Sequence, residues 1–335
     1  MRPAPVSKKG RRTFLRGAVA AAGAVATRCL AGPVSAPRYR LIVDNDLAGD
    51  PDGTVALVHQ LLSPTAQVSL ITTSALDSGL ARMAGLAHPD QTAASGAGRA
   101  NEIVNRIRPR VVPKIVAGAE TFGVSDGQIS AAAEAIVAEA NRADPLPLYL
   151  TCGGPLTNIA AALRRDPSIA SRMTLIWIGG CAYPEGGAEY NLMTDPAAAR
   201  QVIEQSQVPL WQVPEAAYKQ VTIAFSELEQ VADQGLAQWT YDRLIDIPPF
   251  VKLDGARSLG DSAMVLLTAL SPDAGRFQEI PARQLLTEGQ YGAPIPGRTL
   301  RVYDALDGDL VIRDFLARLQ LFDHNKTQRG NSYGH

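Results

Sequence analysis

Between residues 40 and 213 the chain alternates short, unbroken apolar runs with segments of helical spacing, and this alternation constrains the fold more than any other feature. Arg40–Asp44, Val68–Thr73, Lys114–Ala117, Leu148–Thr151, Leu175–Ile178 and Val208–Val213 read as buried strands. Thr54–Leu62, Gly98–Ile107, Ile129–Ala140, Leu156–Leu163 and Pro196–Gln205 read as the helices between them. Strands of this length separated by helices of about ten residues indicate βαβ units, hence an α/β fold with an open, mostly parallel, Rossmann-like sheet flanked by helices. Lys219–Leu270 reads as a mostly helical cap or insertion, Leu300–Ala305 as a late strand and Leu310–Leu321 as the final helix. In such sheets ligands bind beyond the carboxyl ends of the strands, so the residues just past each strand are the ones to inspect.

Charge divides the chain unequally. Residues 1–40 hold nine of the 32 Lys and Arg and none of the 33 Asp and Glu. The remainder therefore carries 23 basic against 33 acidic side chains, a net of -10. So acidic a body is repelled by phosphate backbones, which argues against a nucleic-acid partner and suits a cation or a neutral, hydroxyl-rich ligand. The basic stretch around Arg11-Arg12, followed by Phe14-Leu15 and a mild Ala/Gly/Val run to Ala26, is similar to a twin-arginine export signal. That run is too short to span a bilayer, which takes ~20 apolar residues. The expected organisation is a signal peptide at 1–36 and one domain at 37–335, periplasmic or secreted, without a stable membrane anchor after cleavage. Cys152 and Cys181, the cysteines beyond that signal, show no zinc spacing and read as free thiols, with one bridge left open by an oxidising compartment.

The strand ends carry acids and small residues. After the first strand comes Asp44-Asn45-Asp46-Leu47-Ala48-Gly49-Asp50-Pro51-Asp52-Gly53, four carboxylates within nine positions. Carboxylates so crowded repel one another unless a cation neutralises them, and hard oxygen donors suit Ca²⁺ or Mg²⁺. Read alone, the loop is equally a solvated turn with Asp52 capping the next helix. Thr151-Cys152-Gly153-Gly154-Pro155-Leu156-Thr157-Asn158 follows a later strand; read alone it is a strand-to-helix turn. Glu189-Tyr190-Asn191 can hold vicinal hydroxyls from two sides, while Asp195-Pro196 reads as an N-cap and first helical residue. In Gly260-Asp261-Ser262, Asp261 is either an N-cap or a carboxylate facing the first loop.

Taken in order, the Asp loop, Gly-Pro-Leu-Thr-Asn at 154–158, Glu189-Tyr190-Asn191 with Asp195-Pro196, and Asp261 resemble the calcium-dependent, inosine–uridine-preferring nucleoside hydrolases. The resemblance runs from Arg40 to about Leu270. It implies metal-dependent hydrolysis of the N-glycosidic bond of a nucleoside or related riboside, with Ca²⁺ as cofactor. Asp46 would touch the metal and act as base, and Asp50 and Asp52 would be further metal or sugar-hydroxyl ligands. The backbone carbonyl of Gly153 and the carboxylate of Asp261 would complete the metal ligands. Glu189, Tyr190 and Asn191 would line the ribose, with Asp77 in the position after the second strand. An oxocarbenium-like transition state explains the ring of carboxylates.

Three positions depart from that pattern. Asp77 (or Ser78) stands after the second strand where the family usually carries Asn. Gly260 stands where the best-known members carry a His that protonates the departing base, and Gly53 stands where Asp is common. Tyr183, Tyr190 and Glu185 are the substitutes the sequence offers as acid. A non-catalytic, calcium-dependent sugar-binding envelope protein and a hydrolase of another glycoside are the alternative expectations. The partner is a small riboside, and the oligomeric state is open, a homo-oligomer included.

Overall fold

A computed structural model describes residues 36–49, 51–123, 129–246 and 254–331; the candidate export signal up to residue 35 and Asp50 lie outside the described residues. Ten strands and their helices follow in chain order: β1 (Tyr39–Asn45), α1 (Pro51–Leu62), β2 (Ala66–Thr73), α2 (Ser78–Met83), α3 (Thr92–Ile107), β3 (Lys114–Ala117), α4 (Ala131–Asn141), β4 (Leu148–Gly153), α5 (Thr157–Arg165), β5 (Thr174–Ile178), α6 (Tyr190–Thr194), α7 (Pro196–Arg200) and β6 (Leu210–Val213). Then come α8 (Glu215–Tyr218), β7 (Thr222–Ala224), α9 (Phe225–Glu229), α10 (Gly235–Ile245), β8 (Ala256–Ser258), α11 (Ser262–Val265), β9 (Gly275–Leu285), β10 (Tyr291–Leu306) and α12 (Gly308–Asn331).

Eight strands form one sheet in the order β3-β2-β1-β4-β5-β6-β10-β9. Every neighbouring pair is parallel except β9 with β10. The expected open, mostly parallel sheet is therefore present. Alternate residues of β1 feed two cores on opposite faces. Leu41 and Val43 pack with Val55, Leu57, Ile103 and Phe315, on the α1, α3 and α12 side. Ile42 packs with Leu150, Ile136, Ile159 and Leu163, on the α4 and α5 side. Burying each such side chain contributes roughly 1.5–3 kcal/mol, and both faces being covered explains why the strands read as continuous apolar runs.

Two segments differ from the sequence reading. Residues 219–270 are not purely helical: β7 and β8 pair as an antiparallel ribbon, and α10 packs beside α1 and α12 along the flank of the sheet. The late strand runs far beyond Leu300–Ala305 and pairs with β9, which the sequence pattern does not reveal. As the edge strand, β9 carries Arg276, Glu279, Pro281 and Arg283 and is largely unburied. Charges and proline blunt an exposed edge against unwanted pairing and at the same time erase the apolar signal.

Candidate active site

The strand order reverses at β1 and β4, which places a crevice at their carboxyl ends. Register sets Asp44 beside Thr72 and Cys152, and Asn45 beside Thr73 and Gly153. Consecutive side chains leave a strand on opposite faces, so Asp44 and Asn45 serve opposite sides of the crevice.

Asp44, fully buried, accepts hydrogen bonds from Thr72 Oγ1 (2.6 Å) and Asn158 Nδ2 (2.9 Å), and also from Ser74 Oγ. Burial pushes its pKa up, and these donors pull it back. Asn158 also donates to the Thr73 carbonyl (3.2 Å), and its Oδ1 accepts from Ala119 N (3.3 Å). Thr157 Oγ1 donates to Asp195 Oδ2 (2.7 Å), which also receives Gly123 N (3.0 Å). Asp195 Oδ1 caps α7 through Ala198 N (3.0 Å), as its Asp-Pro sequence predicts. The Leu-Thr-Asn and Asp-Pro motifs are thus the cross-ties that hold the loops in place.

On the other face the carboxylates gather. Asp261 sits in the N-cap position of α11, yet its side chain makes no capping bond to that helix. It turns instead toward the first loop: Asn45 Nδ2 donates to Asp261 Oδ2 at 2.8 Å. A Cβ placed on Gly153 would collide with Asp261 Oδ1 and Asn45 Nδ2, so only glycine permits this approach. Asp52, in the first turn of α1, accepts the backbone N–H of Asp261 at 3.2 Å. Asp46 is buried, and its charge reaches both Tyr190 and Cys152. The structure therefore brings Asn45, Asp52, Gly153 and Asp261 together, while Asp46 and Asp261 both act on Cys152 through their charge.

Glu189, Tyr190 and Asn191 stand at the start of α6. Glu189 caps α6: its Oε2 accepts from Gly180 N (2.8 Å) and Leu192 N (3.0 Å), and its Oε1 accepts from the Tyr218 hydroxyl (3.1 Å). Burial raises the Glu189 pKa against those donors. Asn191 is anchored by Nδ2 on the Ile178 carbonyl (3.0 Å). Tyr190 stays 39% exposed at the rim. Burial, together with the charge of Asp46, pushes its phenol up to about 12. Its hydroxyl receives the Asp77 backbone N–H at 3.4 Å. The exposed Asp77 carboxylate caps α2 through Leu80 N (2.9 Å), so the part of Asp77 that meets Tyr190 is backbone.

Tyr218 was not foreseen. Its ring lies against Gly260, where a Cβ would come within 2.8 Å of Tyr218 Cδ2. Burial, then the neighbouring Glu189, pushes this phenol far above its ordinary range, and Asp52 adds to the effect. The space a side chain at 260 would occupy is thus filled from α8. Tyr183 is committed elsewhere: it stacks on Tyr291 (centroids 4.0 Å apart) and donates to Gln212 Oε1 at 3.0 Å. Glu185 is exposed. Trp177 is buried with its Nε1 on the Gly154 carbonyl (3.0 Å), and Trp239 donates to Glu102 (3.0 Å), so both serve packing. His59 is fully buried against Asp314 (2.8 Å), and desolvation lowers its pKa. Both described cysteines are free thiols.

Among the described residues no three His, Cys, Asp or Glu side chains already stand as a metal cage. The donor set is mixed instead: carboxylates of Asp46, Asp52 and Asp261, plus carbonyl oxygen at Gly153. All are hard oxygen donors, and glycines at 53 and 153 let the Asn45 amide and the Asp261 carboxylate approach closely, so the residues fit an oxygen-seeking divalent cation.

Known proteins agree with this frame. Residues 41–267 match the family model for inosine–uridine preferring nucleoside hydrolases. The chain is 29% identical over 184 residues to a probable uridine nucleosidase 1 of Oryza sativa subsp. japonica, covering 48% of this chain and 54% of that protein. It is 28% identical over 218 residues to a pyrimidine-specific ribonucleoside hydrolase of Salmonella typhi, covering 58% and 66%. The matched stretch thus spans little more than half to two thirds of these relatives' length. Among solved structures, an inosine–guanosine nucleoside hydrolase superposes with a TM-score of 0.63 at 17% identity, over 84% of this chain and 99% of the other. An inosine–uridine preferring nucleoside hydrolase of Bacillus anthracis gives 0.62 at 18%, with the same coverages. Since the family model covers more than half of the sequence and runs from within β1 through β6, the chain belongs to the inosine–uridine preferring nucleoside hydrolases.

Proposed function

We propose that this protein hydrolyses the N-glycosidic bond of a ribonucleoside or closely related riboside, using a divalent cation, with Ca²⁺ the best match to its oxygen donors. The observation that carries this reading is the Asp261 carboxylate, turned away from its own helix onto Asn45 and Gly153 at the switch point of the sheet. Metal dependence is general for the family, which supports the same view.

Asp46, Asp52, Asp261 and the Gly153 carbonyl would hold the ion, and Asp50 joins this set as an expectation from sequence. When bound, the ion supplies a water of lowered pKa and an anchor for vicinal hydroxyls. The protein's own groups do the rest. Asp46 takes one proton from the attacking water, a step that contributes ~10²–10⁴-fold. Glu189 and Asn191, pinned by backbone contacts, orient the ribose hydroxyls without reorganising. The surrounding carboxylates favour the positive charge that develops on the sugar. Tyr218 keeps its proton through the physiological range and donates a hydrogen bond to Glu189 Oε1, which holds that carboxylate in place beside Gly260. On the basic stretch at Arg11-Arg12 we further infer export to the periplasm or beyond.

A nucleoside panel assayed with and without chelator, alongside Asp46→Ala, tests the reading. Metal-dependent ribose release from at least one riboside, lost in Asp46→Ala, is expected. No release from any riboside would remove the enzymatic reading and leave a binding protein. Tyr218→Phe is expected to raise KM for the best riboside about tenfold, as loss of a hydrogen bond to a charged group worth about 1.5 kcal/mol would. The same rise should appear with p-nitrophenyl riboside, whose leaving group needs no proton. A loss confined to purine or pyrimidine ribosides would overturn this positioning role.

A further inference from the structure

The side chain of Asn45 carries a polar atom that the mechanism above does not use. Asn45 is buried, 1% exposed, at the very end of β1. Its Nδ2 is spent on Asp261 Oδ2 at 2.8 Å, which fixes the rotation of the amide. Among the described residues, Oδ1 has no hydrogen-bond partner. Leaving a buried amide oxygen unsatisfied costs roughly 1–3 kcal/mol, and an arrangement that holds it so rigidly calls for a ligand.

That oxygen is packed close against a glycine. A Cβ on Gly53 would collide with Asn45 Oδ1 and would stand 3.0 Å from Asp261 Oδ2. A Cβ on Gly153 would collide with the other half of the same amide and with Asp261 Oδ1. The amide is therefore wedged between two glycines, one on α1 and one ending β4, where Asp52 and Asp261 meet. Its oxygen occupies the volume that any side chain at position 53 would need. An amide carbonyl oxygen is a hard, neutral donor of the kind that Ca²⁺ accepts beside carboxylates.

We propose that Asn45 Oδ1 is a direct ligand of the divalent cation, standing in for a side chain at Gly53. This rests on the reading of the site as a cation site. A neutral ligand where a carboxylate would otherwise stand leaves one negative charge fewer around the ion. Affinity for Ca²⁺ rises with ligand charge count, so this chain holds its ion more loosely than an all-carboxylate version of the same site.

The test is Ca²⁺ titration of the full chain by calorimetry, with the Ca²⁺-induced shift in melting temperature as a second readout. Wild type, Asn45→Ala and Asn45→Asp are compared. Asn45→Ala should weaken Ca²⁺ binding at least tenfold. Asn45→Asp should tighten it about tenfold and enlarge the melting shift, because its metal-free form sets a carboxylate against Asp261 and melts lower. If Asn45 merely positions Asp261 through its N–H, both variants lose that donor and both must bind more weakly; weakened binding in Asn45→Asp overturns the proposal. Binding unchanged in both variants overturns it as well. A wild-type chain that binds no divalent cation overturns this proposal together with the metal-dependent reading. Tight Ca²⁺ binding with no riboside turnover overturns the activity alone.

Discussion

Asp261→Ala will lower kcat/KM for the best riboside by at least about 10³-fold while the protein remains folded. An ion bound at such a site stabilises developing charge by several kcal/mol, and about 4 kcal/mol corresponds to three decades in rate. Asp261 is the carboxylate that joins the two halves of the crevice: it receives Asn45 from β1, presses on Gly153 at the end of β4 and offers its backbone N–H to Asp52 on α1. Alanine removes the proposed ligand and strands the Asn45 amide, which costs roughly 1–3 kcal/mol of stability. Steady-state kinetics at saturating Ca²⁺, with a thermal melt of each variant, decide the matter. A loss of tenfold or less in a folded protein would mean that Asp261 is only a local cross-link.

The second large effect concerns stability. Asp44→Ala should destabilise the fold by about 3–5 kcal/mol, as expected when one partner of a buried charged network is removed. Thr72, Ser74 and Asn158 all donate to Asp44, and each would lose its acceptor inside a dry interior. Since Asn158 also ties Thr73 to the loop carrying Ala119, the damage reaches the ends of β2 and β3. Urea denaturation reads the effect as a lower midpoint at unchanged slope. A change below 1 kcal/mol would show that the threonine, serine and asparagine find other partners.

How far the site was legible depended on whether a residue's role was local. The acidic loop after β1 and the helix-opening Asp261 announced themselves as carboxylates past strand ends, where ligands bind in parallel sheets. Asp195 was read correctly as an N-cap because capping is settled within three residues of chain. For Asp261 the same local pattern offered two answers, and the fold chose the distant one, a partner 216 positions away. Asp44 gave no sign that it was structural: in sequence it is one more acid in the loop, and only the register with β2 and β4 shows it buried among hydroxyls. Tyr218 carries no motif at all. Its meaning comes from the empty place above Gly260, and an absence has no sequence signal of its own. The edge strand β9 went unread for the opposite reason, since its solvent-facing charges hide a real strand.

By itself the amino-acid order determined the layered α/β architecture, the position of the chemistry past the strand ends and the oxygen-rich character of the site. Each of these follows from periodicity or residue type, which act over a few neighbouring positions. Only the tertiary structure decided that Asn45 and Asp52 meet Asp261, and that a tyrosine from α8 fills the room left at Gly260. Those outcomes depend on strand register and on the volume left by missing side chains, and both exist only once distant segments have packed.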